Sequence, residues 1–582
     1  MPRRPTANII ALPYYLASRC HRIRGLPYQT VLHLTNLLPP SRTTPSDNPS
    51  FRCLSTQNFI SRFFQVIIHS TMSREHPDLP GQSKPAGLPS EHSTKSFWHT
   101  EPSALLLGHR STRQLPKHAD VVIVGSGITG TAIAHHLLSK NQPSANGEKR
   151  DLDVVMLEAR EACWGATGRN GGHCQPLLFE TPHDPTIGHF ELANFHALQS
   201  LIKDEEIDCE FQAQPGVRAI YSDHHLNEAE EALSIMTTTA PELRLMMRLV
   251  TDPGQLEKYR IPTAKGAVVT EIAARLWPYK FVTHILEKLL TSTSDITGSF
   301  NLQTLTPTTG ISRESSDSAG SHWTVRTERG DITARNVILA TNGYTSHLLP
   351  SFSDLIVPCR GQMSALHPLD SLKSDRRLKT SLGFLGDGLD DYLIQRPNDR
   401  GGHMMFGGGR QHGPSIGVTD DSILDHKTAK YLRRRLVEAL GLPEGQADMR
   451  AAETEFKAAN EWTGIMGFSR DNHPFIGPVP ATHGPSQHGS TDGLYMAAGF
   501  TGHGMPNTWL CGASVALMVR EALDEGKPKN TSSDQVFQSA KEIYGLPEAY
   551  WLTEERLKKA MSGLSVEEQE WAEMDKAAVS ST

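Results

Sequence analysis

The run Gly125-Ser126-Gly127-Ile128-Thr129-Gly130 has the residue types and spacing of a phosphate cradle. Gly125 permits a tight turn, Gly127 lets the backbone approach a pyrophosphate, and Gly130 lets a helix sit close to a strand. A carboxylate, Glu158, stands at the end of the run Asp153-Val154-Val155-Met156-Leu157. It is placed to accept the hydroxyls of an adenosine ribose and would repel a 2′-phosphate, so the expected ligand is not of the NADP type. Ala159 and Arg160 come next, then Thr167-Gly168-Arg169-Asn170-Gly171-Gly172, small residues that let a loop pass tightly over a flat ring and a pyrophosphate. Arg169 offers its guanidinium to a phosphate oxygen or to a substrate carboxylate. Far down the chain, Gly499-Phe500-Thr501-Gly502-His503-Gly504-Met505-Pro506 forms a second glycine-lined approach ahead of a helical stretch. A helix N-terminus aimed at N1 and the C2 carbonyl of a flavin stabilises the negative charge of the reduced ring. A nicotinamide enzyme has no evident need of this second helix end, which moves the reading from NAD to FAD.

These groups require strand–turn–helix units to hold them. Val121-Val122-Ile123-Val124 reads as a buried strand, and Ile133, Ala134, Leu137 and Leu138 repeat at helical spacing. The gap from the glycines to Glu158 exceeds the usual ~20 residues. A polar loop at 141–150 accounts for the excess at small entropic cost. Helices are expected over 187–206, 228–247, 279–290 and 506–525, with two short strands in 209–222 around Pro215-Gly216. A hairpin at 323–327 and 331–342 ends on Thr341-Asn342-Gly343. Residues 355–460 are β-rich, with strands at 392–395 and 403–406 and a charged helix over 425–440; another strand is expected at 493–498. The predicted fold class is α/β: a discontinuous Rossmann-type FAD-binding domain (118–205, 265–354 and 461–530) with an inserted antiparallel β-rich substrate domain (206–264 and 355–460). Residues 75–117 read as a linker and arm, and 531–582 as a charged helical tail on the surface.

Composition narrows the function. The 582 residues carry 57 Lys and Arg against 64 Asp and Glu, a formal charge of −7, which gives no electrostatic case for nucleic acid. The seven cysteines show no CxxC or zinc spacing, and no metal site is expected. No apolar run is long enough to span a bilayer. Residues 1–74 are rich in arginine, lack lysine and contain Asp47 as their single acid. Three readings stand for them: a mitochondrial transit peptide, an untranslated leader with Met72 as the true start of a cytoplasmic protein, or a tail.

Further stretches fall in order: Trp277-Pro278-Tyr279-Lys280, Pro358-Cys359-Arg360-Gly361-Gln362, and Trp462-Thr463-Gly464 through Asp471 to Pro474-Phe475-Ile476-Gly477. With the glycine turns, they resemble the FAD-dependent amine and amino-acid oxidoreductases, the family of D-amino-acid oxidase, sarcosine oxidase, glycine oxidase and γ-glutamylputrescine oxidase. The likeness covers about residues 118–530 and is greatest to the γ-glutamylputrescine oxidase-like branch, in which a GRNGG-type loop is typical. It implies oxidation of a CH–NH bond in a small amine or amino-acid-like substrate. Hydride passes to flavin N5, the imine is hydrolysed, and electrons go to O2 to give H2O2. A dehydrogenase with a quinone or flavoprotein acceptor and a flavin-binding protein without turnover are the alternatives. The resemblance places the backbone at Leu305 against adenine and the turn Thr341-Asn342-Gly343 at the cofactor. His503 lies beside the flavin, where it contacts ring or substrate or else braces the turn. Tyr392, Arg360 and Arg410 are candidates to close the substrate pocket, with Trp164 and Trp462 as candidate walls. Pro506 stands where sarcosine-oxidase-like members have a carboxylate-binding lysine, which tilts the substrate toward amines without an adjacent carboxylate, such as acylated polyamines. No cysteine occurs in 462–474, where some members tether FAD, so non-covalent FAD is expected. Cys163, Cys174 and His173 lie near the second loop; His173 is read as a pocket-lining residue or a point of histidyl attachment.

Overall fold

The computed structural model describes residues 83–570 and 572, apart from 141–149, 315–321, 387–389, 443–454, 486–488 and 524–532. The arginine-rich stretch 1–74, with its three readings, lies outside the described residues, as does most of the 141–150 loop. The described residues all belong to the second of two compact units, Gln82–Thr582.

The apolar run at 121–124 is buried on both sides, as the central strand of a parallel sheet must be. It forms the end of His118–Val124, which pairs in parallel with Gly330–Leu339 on one side and Leu152–Leu157 on the other. Outward from this centre the eight-stranded sheet continues to Leu494–Ala498 and Phe475–Pro478 at one edge and to Gly298–Gln303 at the other. Val124 sits opposite both Leu339 and Leu157. The glycine turn, Ala340 and Glu158 therefore leave the sheet at one end, side by side. Parallel neighbours need a crossover, and the helix Ile128–Leu138 supplies the first. Thr508–Leu523 packs against it so closely that a Cβ on Gly512 would lie 2.6 Å from the Ala132 Cβ. The expected hairpin is present as His322–Thr327 against Gly330–Leu339.

The second sheet has nine strands, in the order Ala458–Ser469, Ile356–Leu366, Met404–Gly408, Tyr392–Gln395, Ser381–Leu385, Gln212–Ile220, Gly266–Arg275 and His173–Cys174, with Met247–Val250 beside Gly266–Arg275. Its pairings are antiparallel except that between Gln212–Ile220 and Ser381–Leu385. A Rossmann-type parallel sheet accompanied by an antiparallel one is the α/β class expected.

Several expectations change. Residues 209–222 form one strand, not two: Gln212–Ile220 carries Pro215-Gly216 within it and absorbs the missing proline N–H as a register shift between Gln214 and Gly216. The helix expected over 228–247 is Asp223–Thr239, capped by Ser222, and it stops ahead of Pro241. Gly266–Arg275 and Ala458–Ser469, expected with the nucleotide domain, join the second sheet. The C-terminal segment is no surface tail. Its helices Ser533–Tyr544 and Glu554–Ser562 bracket Leu546, Tyr550, Trp551 and Leu552, all buried in the core.

Candidate active site

One cavity of about 750 Å³ runs from the glycine turn into the second sheet. At its dinucleotide end the geometry is set by close approach. Gly125 has φ +109°, and a Cβ there would lie 2.6 Å from the Ala340 carbonyl oxygen; a Cβ on Gly130 would lie 2.0 Å from the carbonyl oxygen of Gly125. Gly127 offers no side chain to the Ile128–Leu138 helix, whose Ile128 N–H donates to Thr167 Oγ1 at 3.1 Å; Gly127, Ile128 and Thr129 place its first turn in the cavity wall. Glu158 is fixed before any ligand arrives. Its Oε2 accepts from the Ser126 N–H at 3.0 Å and the Ser126 hydroxyl at 2.6 Å, and its Oε1 accepts from the Arg160 N–H at 2.9 Å.

The turns that follow are laced together. Asn342 has φ +44°, and its Oδ1 accepts from the Gly499 and Phe500 N–H groups at 3.0 and 3.3 Å. The Thr501 N–H donates to the Gly467 carbonyl at 2.8 Å. Three segments distant in sequence thus share one cavity wall, as their glycine content suggested.

At the other end lie His173, Gln175, Glu180, Arg218, Tyr392 and His503. The Tyr392 hydroxyl accepts from the Gly171 N–H at 3.0 Å and donates to Met363 Sδ at 3.1 Å. Its ring occupies the place a Cβ on Gly171 would need, 2.3 Å away. His173 stacks on it with centroids 5.9 Å apart; burial, with the charges of Arg218 and His503, lowers the His173 pKa to about 3 and keeps it neutral. His503 behaves oppositely. Burial works against its charged form, but Glu191 Oε1 lies 3.0 Å from its Nε2 and outweighs that, so its pKa is raised. Glu191 is itself held by the Leu177 N–H at 2.7 Å and by Asn507 Nδ2 at 3.1 Å, and Asn507 by the Tyr550 hydroxyl at 2.9 Å.

Residues 120–518 match the model of the FAD dependent oxidoreductase family. The chain belongs to that family. Over 437 residues it is 22% identical to the γ-glutamylputrescine oxidoreductase of Escherichia coli (strain K12), covering 69% of this chain and 83% of that protein. The fold is shared with L-proline dehydrogenase from P. horikoshii (TM-score 0.53, 18% identity, 73% of this chain and 99% of that one) and with glycine oxidase from Geobacillus kaustophilus (TM-score 0.52, 16% identity, 71% and 97%).

The residues of this FAD-dependent oxidoreductase fit its cofactor at the dinucleotide end: a glycine cradle that a Cβ would fill, a helix N-terminus in the cavity wall and a pre-oriented carboxylate. Some expected contacts do not form. Arg169 belongs to the cavity lining, but its guanidinium is already engaged within the protein. Its side chain is fully buried, with Nε 3.3 Å from Asp421 Oδ2 and Nη1 donating to the Thr463 carbonyl at 2.9 Å. Asp421 also takes Arg160 Nη1 at 2.9 Å, so one buried carboxylate lies between two guanidiniums. Arg360 donates to the Pro414 and Asp420 carbonyls, both at 3.2 Å, and lies outside the cavity lining. Arg410 lines it but is bound to Asp390 and Glu570. Leu305 occupies a turn at φ +51°, is 45% exposed and lies away from the cavity, where Thr308 is found instead. Gly168 and Gly172 serve packing inside the protein: a Cβ on either would meet the carbonyl oxygen of Cys163 or Leu276. Gly130 and Gly499 likewise stand behind the lining. Trp462 is buried with its Nε1 donating to the Arg169 carbonyl, and Trp164 stacks on His99 at 3.7 Å; neither walls the pocket.

Sequence reasoning missed Glu191 and Arg218. Glu191 carried a signal: it lies on the buried stripe of Pro185–Asp204 with Ile187, Phe190, Asn194 and Phe195, where an unpaired carboxylate would be costly. Arg218 carried none, since its strand alternates without distinguishing residues.

Proposed function

We propose that this FAD-dependent oxidoreductase oxidises the CH–NH bond of a small amine or amino-acid-like substrate. The observation that carries the reading is the single cavity, with a dinucleotide cradle at one end and Tyr392, His503 and Arg218 at the other. Residues 125–129 and Glu158 would hold FAD, which would supply a two-electron acceptor, by hydride transfer at N5, for the carbon next to nitrogen, with O2 as the terminal oxidant and H2O2 as its product. The substrate nitrogen loses its proton to solvent, and the resulting imine is hydrolysed to a carbonyl compound and an amine.

The chain's own residues orient and charge-balance this reaction. Tyr392, pinned by Gly171 and Met363, gives a rigid wall against which a substrate is held. His503, with Nε2 3.0 Å from Glu191 Oε1, stands beside the Gly499–Pro506 approach, and Glu191 favours its charged form where electron density would accumulate on reduction. Arg218 meets Glu180 through a single contact at 3.2 Å and keeps further donors for a substrate carboxylate. The cofactor is held without a covalent bond: burial pushes the Cys163 and Cys174 thiols well up, away from the nucleophilic thiolate.

The test is anaerobic mixing of the purified protein with a panel of amines and amino acids while the oxidised-flavin absorbance is followed. Bleaching by a member of the panel supports the reading, and prompt recovery on admitting air supports O2 as acceptor. Flavin that no amine bleaches would overturn it.

A further inference from the structure

The segment at 83–99 precedes the first nucleotide strand and the family match, yet it contributes to the cavity wall. Gly87, Leu88 and Pro89 line the same cavity as Gly125, Ser126 and Glu158. Two anchors define its path. The Ala86 N–H donates to Ser346 Oγ at 2.8 Å, and the Ser90 carbonyl accepts from Arg160 Nη1 at 3.4 Å. Ser346 lies on the short helix Thr345–Leu348 that follows Gly330–Leu339, and Arg160 lies in the turn that follows Leu152–Leu157. Those strands flank His118–Val124 on either side. The segment therefore crosses the carboxyl ends of three adjacent parallel strands, over the turn at 125–130. The lengths agree: two strand spacings are about 10 Å, and four extended residues reach at most about 14 Å.

Beyond this crossing the segment is fastened down. The Thr94 N–H donates to the Asp421 carbonyl at 2.8 Å, and Thr94 Oγ1 accepts from the Thr463 N–H at 2.9 Å. Ser96 Oγ donates to the Gly168 carbonyl at 2.8 Å, and the Trp98 carbonyl accepts from Trp277 Nε1 at 2.9 Å. Trp98 is fully buried. Leu88 differs: it is apolar, sits in the cavity wall and is 40% exposed, which is surface for a ligand to cover.

In open α/β sheets a dinucleotide lies outside the carboxyl ends of the central strands. A strap across those ends leaves the ligand between strap and sheet. We propose that residues 86–90 are the outer wall of the site for the adenosine diphosphate half of FAD. Leu88 packs on the adenosine, and the strap limits how fast the cofactor leaves. The proposal rests on the non-covalent reading above.

Holoenzyme diluted into flavin-free buffer tests it, with FAD release followed by the rise in flavin fluorescence. Leu88→Gly is expected to release FAD about ten-fold faster, as fits the loss of one leucine contact. Leu107→Gly, slightly more exposed and off the strap, should release at the wild-type rate. In the wild-type chain, amide exchange at 86–90 should be slower with FAD bound than after its removal. Unchanged release from Leu88→Gly, or exchange at 86–90 that FAD does not slow, overturns the proposal. Failure of the non-covalent reading shows separately, as flavin that stays with the acid-precipitated chain, and it overturns retention by the strap as well.

Discussion

His503 and Glu191 face each other across 3.0 Å at the cavity wall, and the charge on one depends on the other. Burial alone would depress the histidine, and Glu191 reverses the sign. A histidine whose folded pKa is raised contributes stability in full below the unfolded value, and that contribution fades as pH rises through the folded pKa. With Glu191→Gln, burial prevails and the His503 pKa drops below its ordinary value. The pH profile of anaerobic flavin reduction should then move its histidine inflection from above about 6.5 to below it. Arg218 gives a second test at this scale. Arg218→Leu should raise the KM of carboxylate-bearing substrates about ten-fold or more and leave carboxylate-free amines near their wild-type KM, measured by steady-state turnover on matched pairs. Glu158 and the glycines were legible because their roles are local, set by a strand end and a tight turn. Glu191 and Arg218 were not, because His503 and Glu180 acquire them as partners only on folding.

Among the elements, the turn at 125–130 shows why its glycines are needed. A Cβ on Gly130 would lie 2.0 Å from the Gly125 carbonyl oxygen and 3.0 Å from its carbon, and a turn that moved aside would open the helix–strand contact. Gly130→Ala should lower stability by about 1–3 kcal/mol, as overpacking does, and reduce bound flavin per chain. Thermal unfolding and flavin content after gel filtration check it. Hydrophobic periodicity placed most elements here within a few residues, including Pro278–Thr291 and His426–Ala439. It failed at 209–222, where Pro215-Gly216 looks like a turn. The neighbours Gly266–Arg275 and Ser381–Leu385 hold that strand extended, at the cost of one register shift. In the second loop, where both Gly171 and Gly172 were attributed to a ligand, Gly171 lines the cavity but Gly172 lies behind the lining. Tyr392 and Trp98, each distant in sequence, occupy the space those glycines leave.

For the molecule as a whole, Asp421 is a tie between parts of the chain. It comes from the stretch read as substrate domain and pairs with Arg160, 261 residues away, and with Arg169 on the nucleotide side. Removing it leaves two buried guanidiniums without their counterion. Asp421→Ala should cost about 3–5 kcal/mol, read from denaturant or thermal unfolding, with Asp421→Asn falling between. The tail behaves similarly: Tyr550 returns to the cavity to hold Asn507, which helps to hold Glu191. The amino-acid sequence by itself determined the α/β class, the dinucleotide cradle, Glu158 and the FAD family, because each is written in short-range spacing that any strand–turn–helix unit must satisfy. Only the tertiary structure decided which charges face the cavity and which are consumed elsewhere. Arg360 was spent on backbone carbonyls outside the cavity and Arg169, in the lining, on a buried carboxylate, while Arg218, Glu191 and the strap at 86–90 reached the site. The physical reason is that the role of a buried or half-buried charge is set by whatever group packs opposite it. Here those groups lie on other strands and loops, at separations that no local pattern encodes.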